Sequence, residues 1–144
     1  MKKFNYSLEG VLRVRRLQEE NTRAEIARNI IERNELIAEI RRMKEEIINC
    51  RKRLCGVGTV NARDFTQIQC YLKGLSTQIL DLTTKGDNIS LWIETLKKTL
   101  KKKIIETKKL DTHRDNERTA WKVESYRQEQ AEFDEIASTR FFYK

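Results

Sequence analysis

The chain has 144 residues and a net charge of +8; 36% of its residues are charged, only 38% are hydrophobic, and none is proline. A mean hydropathy of −0.73 argues against a thick multilayer core, and no apolar run approaches the roughly 18 residues that would span a bilayer. Average usage near 5% would supply roughly seven prolines, so nothing interrupts long helices, and an elongated single all-α domain held by thin seams fits best.

The opening Met1-Lys2-Lys3-Phe4 is basic, but no apolar stretch of about 7–15 residues follows it. The expectation is a cytosolic protein with no direct membrane insertion. A first long helix is predicted over about 7–54. Its apolar residues Ile26, Ile30, Ile37, Ile40, Met43, Ile47, Cys50 and Leu54 fall on one stripe, and a stripe this narrow and long needs a partner helix. Three cysteines, Cys50, Cys55 and Cys70, cannot all form intrachain disulfides and point to a reducing compartment. Cys50 and Cys70 read as small core residues.

Gly56 and Gly58 end this helix. Asn61 is placed as the N-cap of a helix starting at Ala62, with Asp64 at the capping-box position and Val60 and Phe65 as a hydrophobic staple. A shorter helix is expected over about 62–84, carrying Phe65, Ile68, Leu72, Leu75, Ile79 and Leu82. Thr83-Thr84-Lys85-Gly86-Asp87-Asn88 then lowers helix propensity and predicts a break. A second long helix, about 89–138, follows with Ile89, Ile93, Leu96, Leu100, Ile104 and Leu110, and residues 139–144 form a tail. The fold class expected is all-α, a long antiparallel two-helix coiled-coil hairpin over 1–144 with the shorter helix at its tip. Near the termini the seam turns polar, with Gln18, Thr22 and Arg23 facing the region of Arg114, Glu117, Glu124 and Gln128, so looser packing is expected there.

Catalytic, cofactor and metal chemistry find little support. His113 sits on a charged helix and reads as a solvated residue. Three cysteines and one distant histidine do not make a zinc site, and Gly56-Val57-Gly58 lacks the strand and third glycine of a dinucleotide loop. Charge is more suggestive. Seven lysines against Glu94 and Glu106 give +5 between Ile89 and Leu110, whereas Glu124 to Glu135 sums to −4. Nucleic-acid binding is the weaker reading of the lysines, because they spread over several helix faces with few exposed aromatics beside them and no basic region leading into a dimerising zipper; no specific nucleic acid is expected. Aromatic residues gather at the chain ends: Phe4 and Tyr6, then Trp121, Tyr126, Phe133, Phe141, Phe142 and Tyr143. Part of this set is expected to cap the open end, and Arg140-Phe141-Phe142-Tyr143-Lys144 either docks a partner or folds Phe141 back on Phe4.

The opening Phe4-Asn5-Tyr6-Ser7-Leu8-Glu9-Gly10-Val11-Leu12-Arg13-Val14-Arg15-Arg16 with Gln18-Glu19-Glu20, and the closing Gln128-Glu129-Gln130-Ala131-Glu132-Phe133-Asp134-Glu135-Ile136-Ala137, resemble the two ends of the FliJ family of flagellar export proteins. Phe65 to Leu82 resembles its aromatic-containing central part. The resemblance implies a non-catalytic stalk, similar to the rotor stalk of rotary ATPases, that engages a hexameric export ATPase and the membrane export gate and recycles export chaperones. It implies a cytoplasmic location, peripheral to the inner-membrane export apparatus. Candidate ATPase contacts are Arg13, Arg15, Arg16, Arg23, Arg127 and Arg140; candidate gate contacts are Tyr71, Leu75 and Leu82, each with a solvated-face or core reading beside it. The equivalent stalk of a virulence injectisome is the neighbouring reading, and a cytosolic coiled-coil scaffold or nucleic-acid binder the third.

Overall fold

A computed structural model describes residues 3–56 and 58–142. Two helices account for nearly all of them: α1, Glu9–Gly56, and α2, Ala62–Phe142, of 48 and 81 residues. No strand occurs among the described residues, and the two helices pack against each other. α1 starts where the Leu8 carbonyl accepts the Leu12 N–H at 3.0 Å, and α2 starts where the Asn61 carbonyl accepts the Phe65 N–H at 3.0 Å. Asn61 therefore holds the N-cap place that its sequence context predicts.

The chain divides into two compact units, Met1–Asn21 with Leu100–Lys144, and Thr22–Thr99. In the second, turn-end unit, α1 turns inward Thr22, Ile26, Asn29, Arg33, Leu36, Ile40, Met43, Ile47, Cys50 and Leu54, all buried or half-buried. Steps of four and three alternate without a slip, which is the heptad of a coiled-coil seam. α2 answers with Ile68, Leu72, Leu75, Ile79, Leu82, Gly86, Ile89, Ile93 and Leu96, again buried or half-buried at strict heptad spacing. Leu36, Leu72, Leu75, Ile93 and Leu96 are the buried hydrophobic residues of this unit. The seam corrects one expectation: Ile37 is 47% exposed and Leu36 takes its place, because a strict 3.5-residue repeat carried from Ile26 reaches Asn29, Arg33 and Leu36 rather than Ile30 and Ile37.

A second correction concerns the break expected across Thr83–Asn88 and the separate tip helix of 62–84. α2 is continuous there. Gly86 falls on a half-buried seam position between Leu82 and Ile89, so flanking burial on both sides outweighs the roughly 1 kcal/mol that a helical glycine costs. The hydroxyls of Thr83, Thr84 and Ser90 donate to the Ile79, Leu80 and Gly86 carbonyls. These side chains thus satisfy themselves on the helix instead of capping a break. Cys70 also departs from expectation. It is exposed, as is Cys55, while Cys50 on the α1 seam is half-buried.

In the first, open-end unit, Leu12 is fully buried and Tyr6 is 4% exposed. Glu19 and Thr107 are buried too, while Gln18, Glu117, Glu124 and Gln128 of the polar seam expected near the termini are exposed and Arg114 is half-buried. α2 continues as helix through Phe142, past the boundary expected at 138. Tyr143 and Lys144 of the predicted tail, and Val57 of the glycine turn, lie outside the described residues.

Candidate functional site

Two clusters of candidate residues emerge, one in each unit. In the open-end unit the chain before α1 makes a turn in which the Tyr6 carbonyl accepts the Glu9 N–H at 3.2 Å. This turn lays Phe4 and Tyr6 against α2. The Phe4 ring meets Trp121 at 5.9 Å between centroids, tilted by 54°, a favourable edge-to-face-like arrangement. Phe4 is thereby engaged by Trp121, while Phe141 is 87% exposed, so the fold-back of Phe141 on Phe4 is not what the structure contains.

The Tyr6 hydroxyl lies 3.0 Å from His113 Nδ1 and 3.4 Å from the Leu110 carbonyl oxygen. In the Nε2–H tautomer of neutral His113 the hydroxyl donates to Nδ1, and in the Nδ1–H tautomer it accepts from that N–H. With protonated His113 the hydroxyl accepts from Nδ1–H and donates to Leu110, so the contact survives either state. Burial, reinforced by the Glu117 carboxylate and then opposed by Arg114, holds the Tyr6 hydroxyl above its ordinary pKa. His113 is exposed, as its sequence setting suggests, yet it is the residue that anchors Tyr6.

The arginines fall into two groups. Arg15 Nη1 reaches Glu106 Oε2 at 2.8 Å and Arg16 Nη2 reaches Asp111 Oδ1 at 2.8 Å, both from α1 to α2. Asp111 also accepts from Arg114 at 3.3 Å. These two arginines clamp the helices. Arg13, by contrast, is exposed on α1 and has no ion-pair partner among the described residues. Arg127 pairs with Glu124 of its own helix, at 3.5 Å, and Arg140 is exposed in the last turn of α2. Arg23 is exposed in the turn-end unit. Beyond Trp121, α2 displays Val123, Tyr126, Phe133, Ile136 and Phe141, each more than half exposed.

In the turn-end unit Tyr71, 48% exposed, donates its hydroxyl to Glu46 Oε1 across the two helices. That bond, followed by partial desolvation, raises the Tyr71 pKa. Its ring borders an open cleft of ≈ 510 Å³ beside the turn, with Cys50, Leu54, Val60, Asp64 and Ile68. Leu75, one turn on, is buried in the seam, and Leu82 is half-buried. The three gate candidates therefore share a helix stripe, but only Tyr71 presents a large open surface. Sequence spacing identified the stripe and missed its acceptor Glu46, as it missed Glu106 and Asp111; counting back equally along both arms from the turn brings Glu46 and Glu106 near their partners but not Asp111.

Among the described residues no helix is long and apolar enough to cross a membrane, and no group of three or more His, Cys, Asp or Glu is arranged to hold a metal ion. Two long charged helices, joined by one turn and zipped along heptad seams, define an all-helical protein of coiled-coil type. The chain matches the family model described as Flagellar FliJ protein over residues 4–144, essentially its whole length, and it belongs to that family, whose members are non-catalytic components of flagellar type III protein export. No curated protein and no solved structure matches it.

Proposed function

We propose that the chain is a coiled-coil hairpin, one domain over 1–144, working as the stalk that couples the flagellar export ATPase to the membrane export gate from the cytoplasmic side. The family match over 4–144 is the observation that carries this reading, and the charge pattern supports a division of labour. At the open end, Arg13, Arg127 and Arg140 offer exposed cations for the acidic loops of an ATPase ring, with Arg23 further along α1. Arg15 and Arg16 serve the same contact indirectly, since their bridges to Glu106 and Asp111 keep the two helices in register beneath it. A clamped pair of helices transmits a push or a twist better than two independent ones, because cross-helix ion pairs resist sliding.

At the turn end Tyr71 is the gate contact, held out over the adjoining cleft by Glu46. Leu75 and Leu82 form the seam that positions it. Export chaperones are further candidate partners through the exposed apolar residues of α2. The test is stimulation of purified export ATPase by substoichiometric chain. Stimulation that falls severalfold for Arg13→Glu with Arg140→Glu, while helicity is retained, supports the open-end assignment; full stimulation by that variant rejects it. Tyr71→Ala is expected to weaken capture of the gate's soluble domain with an unchanged melting curve, whereas Leu75→Ala lowers the melting temperature as well.

A further inference from the structure

We infer that the open end binds a second copy of this chain, the acidic C-terminal stretch of α2 from each copy docking onto the basic aromatic cleft of the other. The donor surface is the α2 segment beyond Trp121. Val123, Tyr126, Phe133, Ala137 and Phe141 follow one another at spacings of three, seven, four and four residues, which sets them on one helix stripe. Their apolar members are more than half exposed, Tyr126 at 70% and Phe133 at 67%. Isolated exposed apolar residues are ordinary, but a continuous aromatic stripe on a helix is a docking feature. Around the stripe stand Glu124, Glu129, Glu132, Asp134 and Glu135, against Arg127 alone from 124 to 135.

The acceptor lies in the same unit of the fold. A cleft of ≈ 680 Å³ is lined by Lys3, Phe4, Tyr6, Arg118, Trp121 and Lys122, and also by Arg114 and a single acid, Glu9. Arg118 and Lys122 have no ion-pair partner among the described residues, whereas Arg114 already contacts Asp111 and Asp115. An open cleft that combines aromatic walls with unneutralised cations fits a ligand that is both acidic and aromatic. The acidic aromatic stretch of α2 has that chemistry, and charge complementarity favours it over a like-charged basic helix.

A helix cannot fold back along itself, so Phe133 and its neighbours cannot reach the cleft of their own chain while α2 stays helical through Phe142. A second copy supplies the missing partner, and a reciprocal exchange fills both clefts with one two-fold axis. The inference does not depend on the export role proposed above. It bears on that role, since Arg127 and Arg140 would lie within the same contact and self-association would compete with ring binding.

Sedimentation equilibrium of the full chain tests it. The expected result is a reversible dimer, twice the 17.2 kDa of one chain, weakening at least about tenfold between roughly 0.05 M and 0.5 M salt as the ion pairs are screened. Glu132→Lys with Glu135→Lys changes the acidic segment alone, and Arg118→Glu with Lys122→Glu changes the cleft alone. Each variant by itself is expected to be monomeric with unchanged helicity, and an equimolar mixture of the two to regain the dimer, because both interfaces are then complementary again. A wild-type chain that stays monomeric up to about 0.1 mM, an affinity weak on the scale of specific pairs, overturns the inference. So does a dimer indifferent to either variant, or a mixture that fails to reassociate.

Discussion

The two units join the same pair of helices by different means. Toward the turn, the seam is aliphatic: Leu36, Leu72, Leu75, Ile93 and Leu96 are buried, and the cross-helix polar contact described there is Tyr71 to Glu46. The open-end unit holds one fully buried leucine, Leu12, together with the contacts Arg15–Glu106, Arg16–Asp111, Tyr6–His113 and Phe4–Trp121. Apolar burial is strong but indifferent to small shifts along the helix, whereas ion pairs and hydrogen bonds are weaker and directional. One unit accordingly supplies cohesion and the other supplies register.

Truncation of the seam should have the largest effect and probes that division directly. Ile93→Ala and Leu12→Ala are each expected to cost about 3 kcal/mol in urea unfolding, the usual range for emptying a buried aliphatic site. A cost for Leu12→Ala below about 1 kcal/mol would mean that polar contacts alone close the open end. Next in size is Gly86→Ala. A Cβ at Gly86 meets no neighbouring atom within 4 Å, so the substitution should stabilise the turn-end unit by about 1 kcal/mol through helix propensity; a loss in the urea midpoint would show that the seam needs the gap.

Smaller still is Asp111→Asn, which removes the negative charge shared by Arg16 and Arg114. These side chains are a third to a half exposed, so the cost should stay under about 1 kcal/mol and fade above roughly 0.5 M salt. The Ile93→Ala cost should be far less salt-dependent, and a salt response of similar size in both variants would erase the distinction between the units. The finest effect is a pH dependence. Tyr6 ionises in the folded chain above the ordinary 10.0, so its contribution is fully present below pH 10 and is lost as pH rises through the folded value. Tyr6→Phe should flatten the alkaline decline in melting temperature without abolishing it, since Tyr71, raised by its bond to Glu46, adds a decline of its own.

Much of this architecture was legible in the residues, and the failures share a cause. The start of α2 at Ala62 could be read because the N-cap is a local signal. The phase of the α1 seam slips at Ile37, which is exposed while Ile30 is half-buried, because polar Asn29 and Arg33 occupy seam positions where binary patterning expects apolar ones. Gly86 and its threonine neighbours looked like a break, since propensity is local and the heptad that carries α2 across them is not. Cys70 looked like core for its type, while its place two residues beyond the seam at Ile68 and two before Leu72 sets it outside. At the candidate sites, Tyr71 was found by spacing, but which arginines clamp and which remain available depended on carboxylates some 90 residues away in the chain, and no local pattern encodes that.

The short non-helical stretch from Gly58 to Asn61 leads straight into α2. A single cut there would separate the polypeptide into two fragments, each with an entire seam and neither able to bury it unaided. Expressed as separate genes, such fragments are expected to find one another and rebuild the native molecule, turning an uninterrupted chain into a complementation pair whose halves could carry different labels.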